Sequence, residues 1–117
     1  MNGITRDTMI HLLGGDIVTA RRKAKRAGHS AWVGVVSLER PKVAYLNSLD
    51  ALSLGRIHVR TFEIADDLVK YEDIGEEAAV EFERFTVNGT LELEALLVGL
   101  GIDPSTLAFK TDTEYPL

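Results

Sequence analysis

The sequence predicts a small α+β domain in which helices pack on one face of an antiparallel sheet of three to four strands. Residues 30–38 (SAWVGVVSL) are dense in Val, Trp and Leu, as expected of a buried central strand. Residues 56–64 (RIHVRTFEI) alternate apolar and polar side chains, which is typical of a strand with one polar face. The predicted order is two helices, three strands, an acidic helical segment, a further strand and a helix. This order favours an antiparallel sheet with helices on one side.

The first predicted helix uses Thr5 or Asp7 as its N-cap and runs to Leu13. It ends there because Gly14 and Gly15 follow, and glycine readily takes the backbone conformation that terminates a helix. The sequence therefore predicts a short first helix of about two turns.

A second helix is predicted over residues 17–27 (IVTARRKAKRA), between the N-cap Asp16 and a stop at Gly28. At about 100° per residue, isoleucine and alanines line one thin face, and five cations occupy the opposite arc. These cations are Arg21, Arg22, Lys23, Lys25 and Arg26. We refer to this predicted segment as the basic helix.

The connections after the central strand are predicted from turn residues. Residues 39–42 (ERPK) indicate a turn, because proline interrupts a hydrogen-bonded ladder. Residues 43–46 (VAYL) then return as the second strand of a hairpin. Residues 47–55 are either one helical turn or an irregular connection to the third strand.

The chain becomes acidic and helical from residue 65 until Gly75 interrupts it. Residues 80–87 (VEFERFTV) predict a strand, although helical spacing is an alternative. As a strand this segment needs a bulge, because its apolar phase slips between Phe82 and Phe85.

Residues 80–100 admit two interpretations. Asn88-Gly89 is a strong hairpin signal, but a two-residue loop would place Glu83 opposite Glu94. A helix over residues 91–100, ended by Gly101, suits the Leu, Glu and Ala content better, and we adopt it.

The last predicted element is a single turn that starts at Asp103-Pro104 and runs through Phe109. Asp103 is the N-cap, and proline is favoured at the first helical position. The tail, from about residue 110 to 117, is expected to be frayed.

Length and composition place the chain among ordinary globular proteins. Its 117 residues, 45% hydrophobic and 26% charged, fit one domain over residues 1–117. The absence of cysteine excludes disulfides, thiolate zinc sites and cysteine nucleophiles. Charged residues near the start argue against a signal peptide, and no apolar run is long enough to span a bilayer. We expect a cytoplasmic protein that does not enter membranes.

Charge divides the chain into a basic half, residues 1–60, and an acidic half, residues 61–117. The first holds ten Lys or Arg and four Asp or Glu, a net of +6, and the second holds three and fourteen, a net of −11. Together they give the formal net charge of −5. This asymmetry predicts a charged partner, or a homodimer in which the basic helix of one copy faces the acidic half of another. Alternatively, the halves attract each other within one chain.

No motif predicts catalysis or a bound metal. Residues 28–32 (GHSAW) do not form a nucleophile elbow, because Trp32 replaces the second glycine and a strand follows instead of a helix. His58, Glu63, Asp66 and Asp67 lack any recognised metal-ligand spacing, and no glycine-rich phosphate loop is present. We therefore expect a protein that is not an enzyme and that needs no cofactor.

The leading functional hypothesis is a small interaction protein, such as an inhibitor or adaptor, with an acidic binding face. The partner is expected to be a protein with a basic surface, because a row of carboxylates imitates the charge of nucleic-acid phosphates. The candidate binding residues are Asp66, Asp67, Glu72, Asp73, Glu76 and Glu77.

The alternative hypothesis is a nucleic-acid-binding regulator that uses the basic helix. Arginine and lysine on one helical face would neutralise phosphates, and arginine also forms forked hydrogen bonds to them. The candidate residues are Arg21, Arg22, Lys25 and Arg26. The acidic net charge of the whole chain weighs against this reading, because it weakens long-range attraction to nucleic acid.

Overall fold

A computed structural model describes residues 3–38, 55–69, 75–110 and 115–116. Its strands are β1 (Val18–Arg22), β2 (His29–Ser37), β3 (Arg56–Ala65), β4 (Val80–Asn88) and β5 (Ala108–Phe109). Its helices are α1 (Arg6–Leu13), α2 (Asp66–Val69) and α3 (Gly89–Gly99). The described residues also include two 3₁₀ turns that the structure delimits, Glu76–Ala78 and Pro104–Thr106.

The strands form one antiparallel sheet in the order β4-β3-β2-β1-β5. The predicted α+β class is therefore confirmed, with five strands where the sequence predicted three to four. The expectation that all helices pack on one face stays a prediction. The predicted turn at residues 39–42 and strand at 43–46 lie outside the described residues. Among the described helices, none combines the length and hydrophobicity that crossing a bilayer requires.

The predicted central strand and the first helix are confirmed. β2 lies in the middle of the sheet, paired with β3 on one side and β1 on the other. Thr5 caps α1, and its side chain accepts a hydrogen bond from the Thr8 backbone N–H at 3.3 Å. Gly14 follows the last helical residue, as the sequence predicted.

The helical interpretation of residues 91–100 is also confirmed, since α3 begins at Gly89. The helix ends where Gly101 adopts a φ of +79°, and the Ile102 N–H donates to the Leu97 carbonyl at 2.9 Å. This pattern is the Schellman motif that glycine favours at helix ends. The alternative interpretation, a hairpin at Asn88-Gly89, is therefore wrong.

The basic helix predicted over residues 17–27 is wrong. Val18–Arg22 instead forms strand β1, which pairs antiparallel with β2 from Val18 opposite Val35 to Arg22 opposite Ala31. Val18, Thr19 and Ala20 are all buried, so this segment has apolar surroundings on both faces of the sheet. β-Branched side chains favour that environment, and tertiary pairing overrides the helix propensity of the Arg and Lys residues that follow.

β4 contains a bulge, but it lies before Phe82. Thr61 pairs with Glu83 and Glu63 pairs with Val80, so β4 has one extra residue, and Glu81 there has a φ of +53°. The bulge does not explain the odd spacing between Phe82 and Phe85. These two apolar side chains lie on opposite faces of the sheet and join different clusters.

The predicted turn at Asp103 forms but is shorter than expected. It ends at Thr106, and Ala108–Phe109 then adds a short fifth strand beside β1. The frayed tail predicted for residues 110–117 lies largely outside the described residues. Tyr115 within it contacts the sheet.

Each face of the sheet is covered by its own hydrophobic cluster. The aliphatic cluster joins inward-facing strand residues to leucines of α1 and α3. Its buried members are Leu12, Leu13, Val18, Ala20, Val33, Val35, Ile57, Val59, Leu93, Leu97, Ile102 and Leu107. The aromatic cluster lies on the other face, since successive strand residues point to opposite sides. It contains Trp32, Phe62 and Ile64, with Val69, Ala79, Phe82 and Tyr115 packed against them.

Candidate functional site

Most of the charged residues singled out by the sequence lie at one end of the sheet. β1 ends and β2 begins at this end of the sheet. β3 ends and β4 begins at the same end, because His29 pairs with Ala65 and Glu63 pairs with Val80. The loop of residues 23–28, helix α2 and the first 3₁₀ turn therefore gather at this end. We call it the charged end.

Glu63 anchors the loop of residues 23–28 to the sheet. Its side chain is 4% exposed, and its carboxylate accepts hydrogen bonds from the backbone N–H of Lys25 at 2.8 Å and of Arg26 at 3.1 Å. Burial opposes ionisation, but these two N–H groups and the nearby charges of His29 and Lys25 outweigh it and lower the pKa of Glu63 below 4.5. The loop is thus held by a buried, ionised group.

Two of the four cations proposed for nucleic-acid binding pair with carboxylates of β4. Arg26 Nε lies 3.1 Å from Glu81 Oε1, and Lys25 Nζ lies 4.0 Å from Glu83 Oε1. All four side chains are at least one-third exposed, so each pair adds little stability. These two ion pairs nevertheless join cations of the basic half to carboxylates of the acidic half within one chain.

The other two cations lie on opposite faces of the sheet. The Arg21 guanidinium lies 5.2 Å from the centre of the Trp32 ring, on the aromatic side, and donates to Ser30 Oγ at 3.1 Å. Arg22 lies on the other side, beside Lys25 and Glu63 around a cavity of about 10 Å³. The four cations therefore do not form the single helical face on which the nucleic-acid hypothesis rested.

The candidate acidic residues fall into two described pairs. Asp66 and Asp67 open α2, and Glu76 and Glu77 open the first 3₁₀ turn, all with exposed side chains. We call these four residues the acidic surface. The remaining two candidates, Glu72 and Asp73, lie outside the described residues.

Contacts within the chain fix two members of the acidic surface. Asp66 accepts a hydrogen bond from Ser30 Oγ at 2.5 Å, and its backbone N–H donates to the Gly28 carbonyl at 2.8 Å. Glu76 accepts from Arg60 at 2.9 Å and lies 3.7 Å from Arg84. Arg60 and Arg84 thus meet the same carboxylate, and Asp67 and Glu77 add exposed negative charge to the surface.

An aromatic network on the neighbouring face supports Arg60. Arg60 Nε donates to the Tyr115 hydroxyl at 2.7 Å, and the Tyr115 ring packs edge-on against Phe62 at 5.5 Å between centroids. Burial raises the pKa of Tyr115, although the Arg60 charge opposes the shift. Gly34 lies beneath this ring, and a Cβ there would approach Tyr115 Cζ to 3.0 Å.

Sequence reasoning missed Tyr115, and it considered Glu63 only as a possible metal ligand. Glu63 stands between Phe62 and Ile64, which are both buried, and an acidic residue between large apolar neighbours in a strand is a signal for a buried, partnered carboxylate. Tyr115 carries no such local signal, because its partners Gly34, Arg60 and Phe62 are all distant in sequence.

A second concavity, of about 320 Å³, lies between α1 and β5. The His11 ring stacks on Phe109 at 4.9 Å, and His11 Nδ1 lies 2.9 Å from Asp16 Oδ2. Thr8 also borders it, but the Thr8 hydroxyl donates to the Leu107 carbonyl at 2.6 Å. That hydroxyl therefore ties α1 to the chain before β5. Across the described residues, no three His, Asp or Glu side chains gather as metal ligands.

Comparison with known proteins found no matching family model, no matching curated protein and no matching solved structure. The function of the chain is therefore inferred from its own residues.

Proposed function

We propose that this protein is a non-catalytic binding protein that presents its acidic surface to a basic partner protein, as an inhibitor or adaptor would. The observation that carries the proposal is the contrast between the two sets of charges at the charged end. Lys25 and Arg26 are paired within the chain, whereas Asp67 and Glu77 add exposed negative charge beside carboxylates that already have partners.

The acidic surface is also partly preorganised. Asp66 is held through its backbone and side chain, and Glu76 is held by two arginines. A partner would therefore lose less conformational freedom on binding than with carboxylates on a free tail. Complementary charge mainly accelerates association and selects the partner, so binding should weaken as salt rises.

The first test uses a fluorescein-labelled, unstructured peptide rich in arginine and lysine. We expect the wild-type protein to bind it, with an affinity that falls between low and near-physiological salt. The double substitution Asp67→Lys with Glu77→Lys should weaken binding by about tenfold or more, as loss of close charge pairs does at charged interfaces. Chemical-shift mapping on the labelled protein should place the peptide at the acidic surface.

The matched control is Asp7→Lys with Asp16→Lys, which changes the net charge equally but lies in the first turn of α1 and just before β1, away from both the acidic surface and α3. This control should retain most of the binding. Equal losses in both double variants would contradict the proposal, because they would show attraction to net charge and not to a surface.

Duplex DNA tests the alternative function in the same assay. Salt-sensitive binding of DNA that Arg21→Glu with Arg22→Glu abolishes would move the function to the basic side of the charged end. We expect no such binding, because the chain is acidic overall and half of the proposed cations are paired. The homodimer and the cytoplasmic location stay predictions, the first to be checked by the molar mass in solution at low salt.

A further inference from the structure

Helix α3 is apolar on its outer side as well as its inner side. Leu93 and Leu97 face the aliphatic cluster and are fully buried. On the outer side Leu91 is 82% exposed, Val98 is 40% exposed and Ala95 between them is exposed. The spacing i, i+4 and i+7 aligns these three residues, which we call the outer stripe, along one line of the helix.

Single exposed apolar side chains are common on protein surfaces, but an aligned row of them on a helix indicates a contact surface. A helix that packs against a core normally carries polar residues on its opposite side, and one that is apolar all round is normally buried. The small side chain of Ala95, with Gly99 one turn further on, lets another backbone approach the centre of the stripe closely.

The charges beside the stripe select the partner. On the helical wheel Glu92 lies on one flank of the outer stripe and Glu94 on the other, and α3 contains no Lys, Arg or His. A second copy that docked through its own α3 would bring only further glutamates. A helix with basic residues on both flanks would satisfy each glutamate instead.

We propose that the outer stripe docks an amphipathic helix of a partner protein, one with an apolar ridge between two rows of Lys or Arg. This surface is separate from the acidic surface. α3 begins where β4 ends, whereas the 3₁₀ turn with Glu76 and Glu77 precedes the start of β4, about 27 Å away along a nine-residue strand.

The test uses a labelled helical peptide with leucine at i, i+4 and i+7, lysine on both flanks and alanine elsewhere. A matched peptide replaces every lysine with glutamate. Fluorescence anisotropy should detect binding of the lysine peptide and at least about tenfold weaker binding of the glutamate peptide. The double variant Leu91→Ser with Val98→Ser should lose about tenfold in affinity for the lysine peptide, because it removes the apolar anchor.

Leu68→Ser, which changes an exposed leucine of α2, is the control and should leave peptide binding unchanged. Circular dichroism should show that both variants remain folded. Asp67→Lys with Glu77→Lys should also leave this binding unchanged, which separates it from the proposed function.

Three outcomes would overturn the inference. The lysine peptide does not bind the wild-type protein, or it binds the double serine variant equally well, or the chain forms a dimer that Leu91→Ser dissociates. The last result would make a second copy the occupant of the stripe.

Discussion

The two faces of the sheet are buried by different means. Helices α1 and α3 cover the aliphatic face with leucines such as Leu12 and Leu97. The aromatic face is covered near Phe62 by single side chains from separate segments, including Val69, Ala79 and Tyr115. The aliphatic face is thus covered by helices, whose backbones are hydrogen-bonded within themselves. The aromatic face depends on side chains that come together only when the chain has folded.

This difference predicts how each face responds to damage. A helix covers its face cooperatively, so removal of one leucine leaves a cavity within a continuous layer. The aromatic face can open locally, because the loss of one side-chain contact exposes the sheet beneath it without unfolding a whole helix or strand. Three predictions test this comparison.

The largest effects are expected from truncation at the centre of each cluster. Phe62→Ala should lower the free energy of unfolding by about 3–5 kcal/mol, because Phe62 contacts Trp32, Phe82 and Tyr115 and is 1% exposed. Leu97→Ala should cost about 2–5 kcal/mol and destabilise α3 as a unit. Urea denaturation followed by circular dichroism measures both.

Leu91→Ala is the control for the second variant, since it changes a leucine of the same helix that is 82% exposed. It should change the stability of the isolated chain by no more than about 0.5 kcal/mol. A cost as large as that of Leu97→Ala would show that the outer side of α3 is already covered within this chain.

An intermediate effect is expected at Gly34, where the sheet and Tyr115 meet. Gly34→Ala places a methyl group against the Tyr115 ring and should cost about 1–3 kcal/mol, as overpacking does. Tyrosine fluorescence should report movement of the ring, and the Arg60–Tyr115 hydrogen bond should be lost.

A double-mutant cycle checks the cause. In a Tyr115→Ala background, Gly34→Ala should cost much less, because no ring remains to be displaced. Equal costs in both backgrounds would contradict the role assigned to Gly34.

The smallest of the three effects is expected at Glu63, which lies on the aliphatic face at the charged end. Glu63→Gln removes the charge but keeps one carbonyl acceptor for the two backbone N–H groups, so it should cost about 0.5–1.5 kcal/mol near neutral pH. Because the folded pKa lies below 4.5, the ionised carboxylate adds stability above about pH 4.5, and this is lost as pH falls through the folded pKa.

Stability of the wild-type protein and of Glu63→Gln should therefore converge on acidification. Denaturation curves collected between about pH 6 and pH 3 measure this convergence. A constant difference across that range would show that folding does not lower the pKa of Glu63.

The sequence predicted the elements whose signals are local. The apolar run of β2, the alternation of β3 and the glycine after α3 each identify an element without knowledge of the rest of the chain. β1 was predicted as a helix because its alternation is concealed: Val18, Thr19 and Ala20 are all buried, on two different faces, and helix-forming cations follow them.

The candidate site was harder to predict than the fold. Glu63 meets the loop of residues 23–28 across nearly forty positions, and Arg60 meets Tyr115 across fifty-five. No periodicity encodes such pairings, since they arise only when strands bring distant residues to one end of a sheet. The acidic residues were identified from composition, but their arginine partners depend on the register of β3 with β4.

The short strand β5 has a consequence for the order in which the chain folds. Val18 pairs with Phe109, and the Thr8 hydroxyl is buried against the Leu107 carbonyl, so both contacts close loops of about ninety residues or more. Loop closure over such a distance costs entropy before any contact repays it. On the ribosome, β5 can therefore pair with β1 only after residue 109 has emerged, although the antiparallel pairs among β1 to β4 can form earlier.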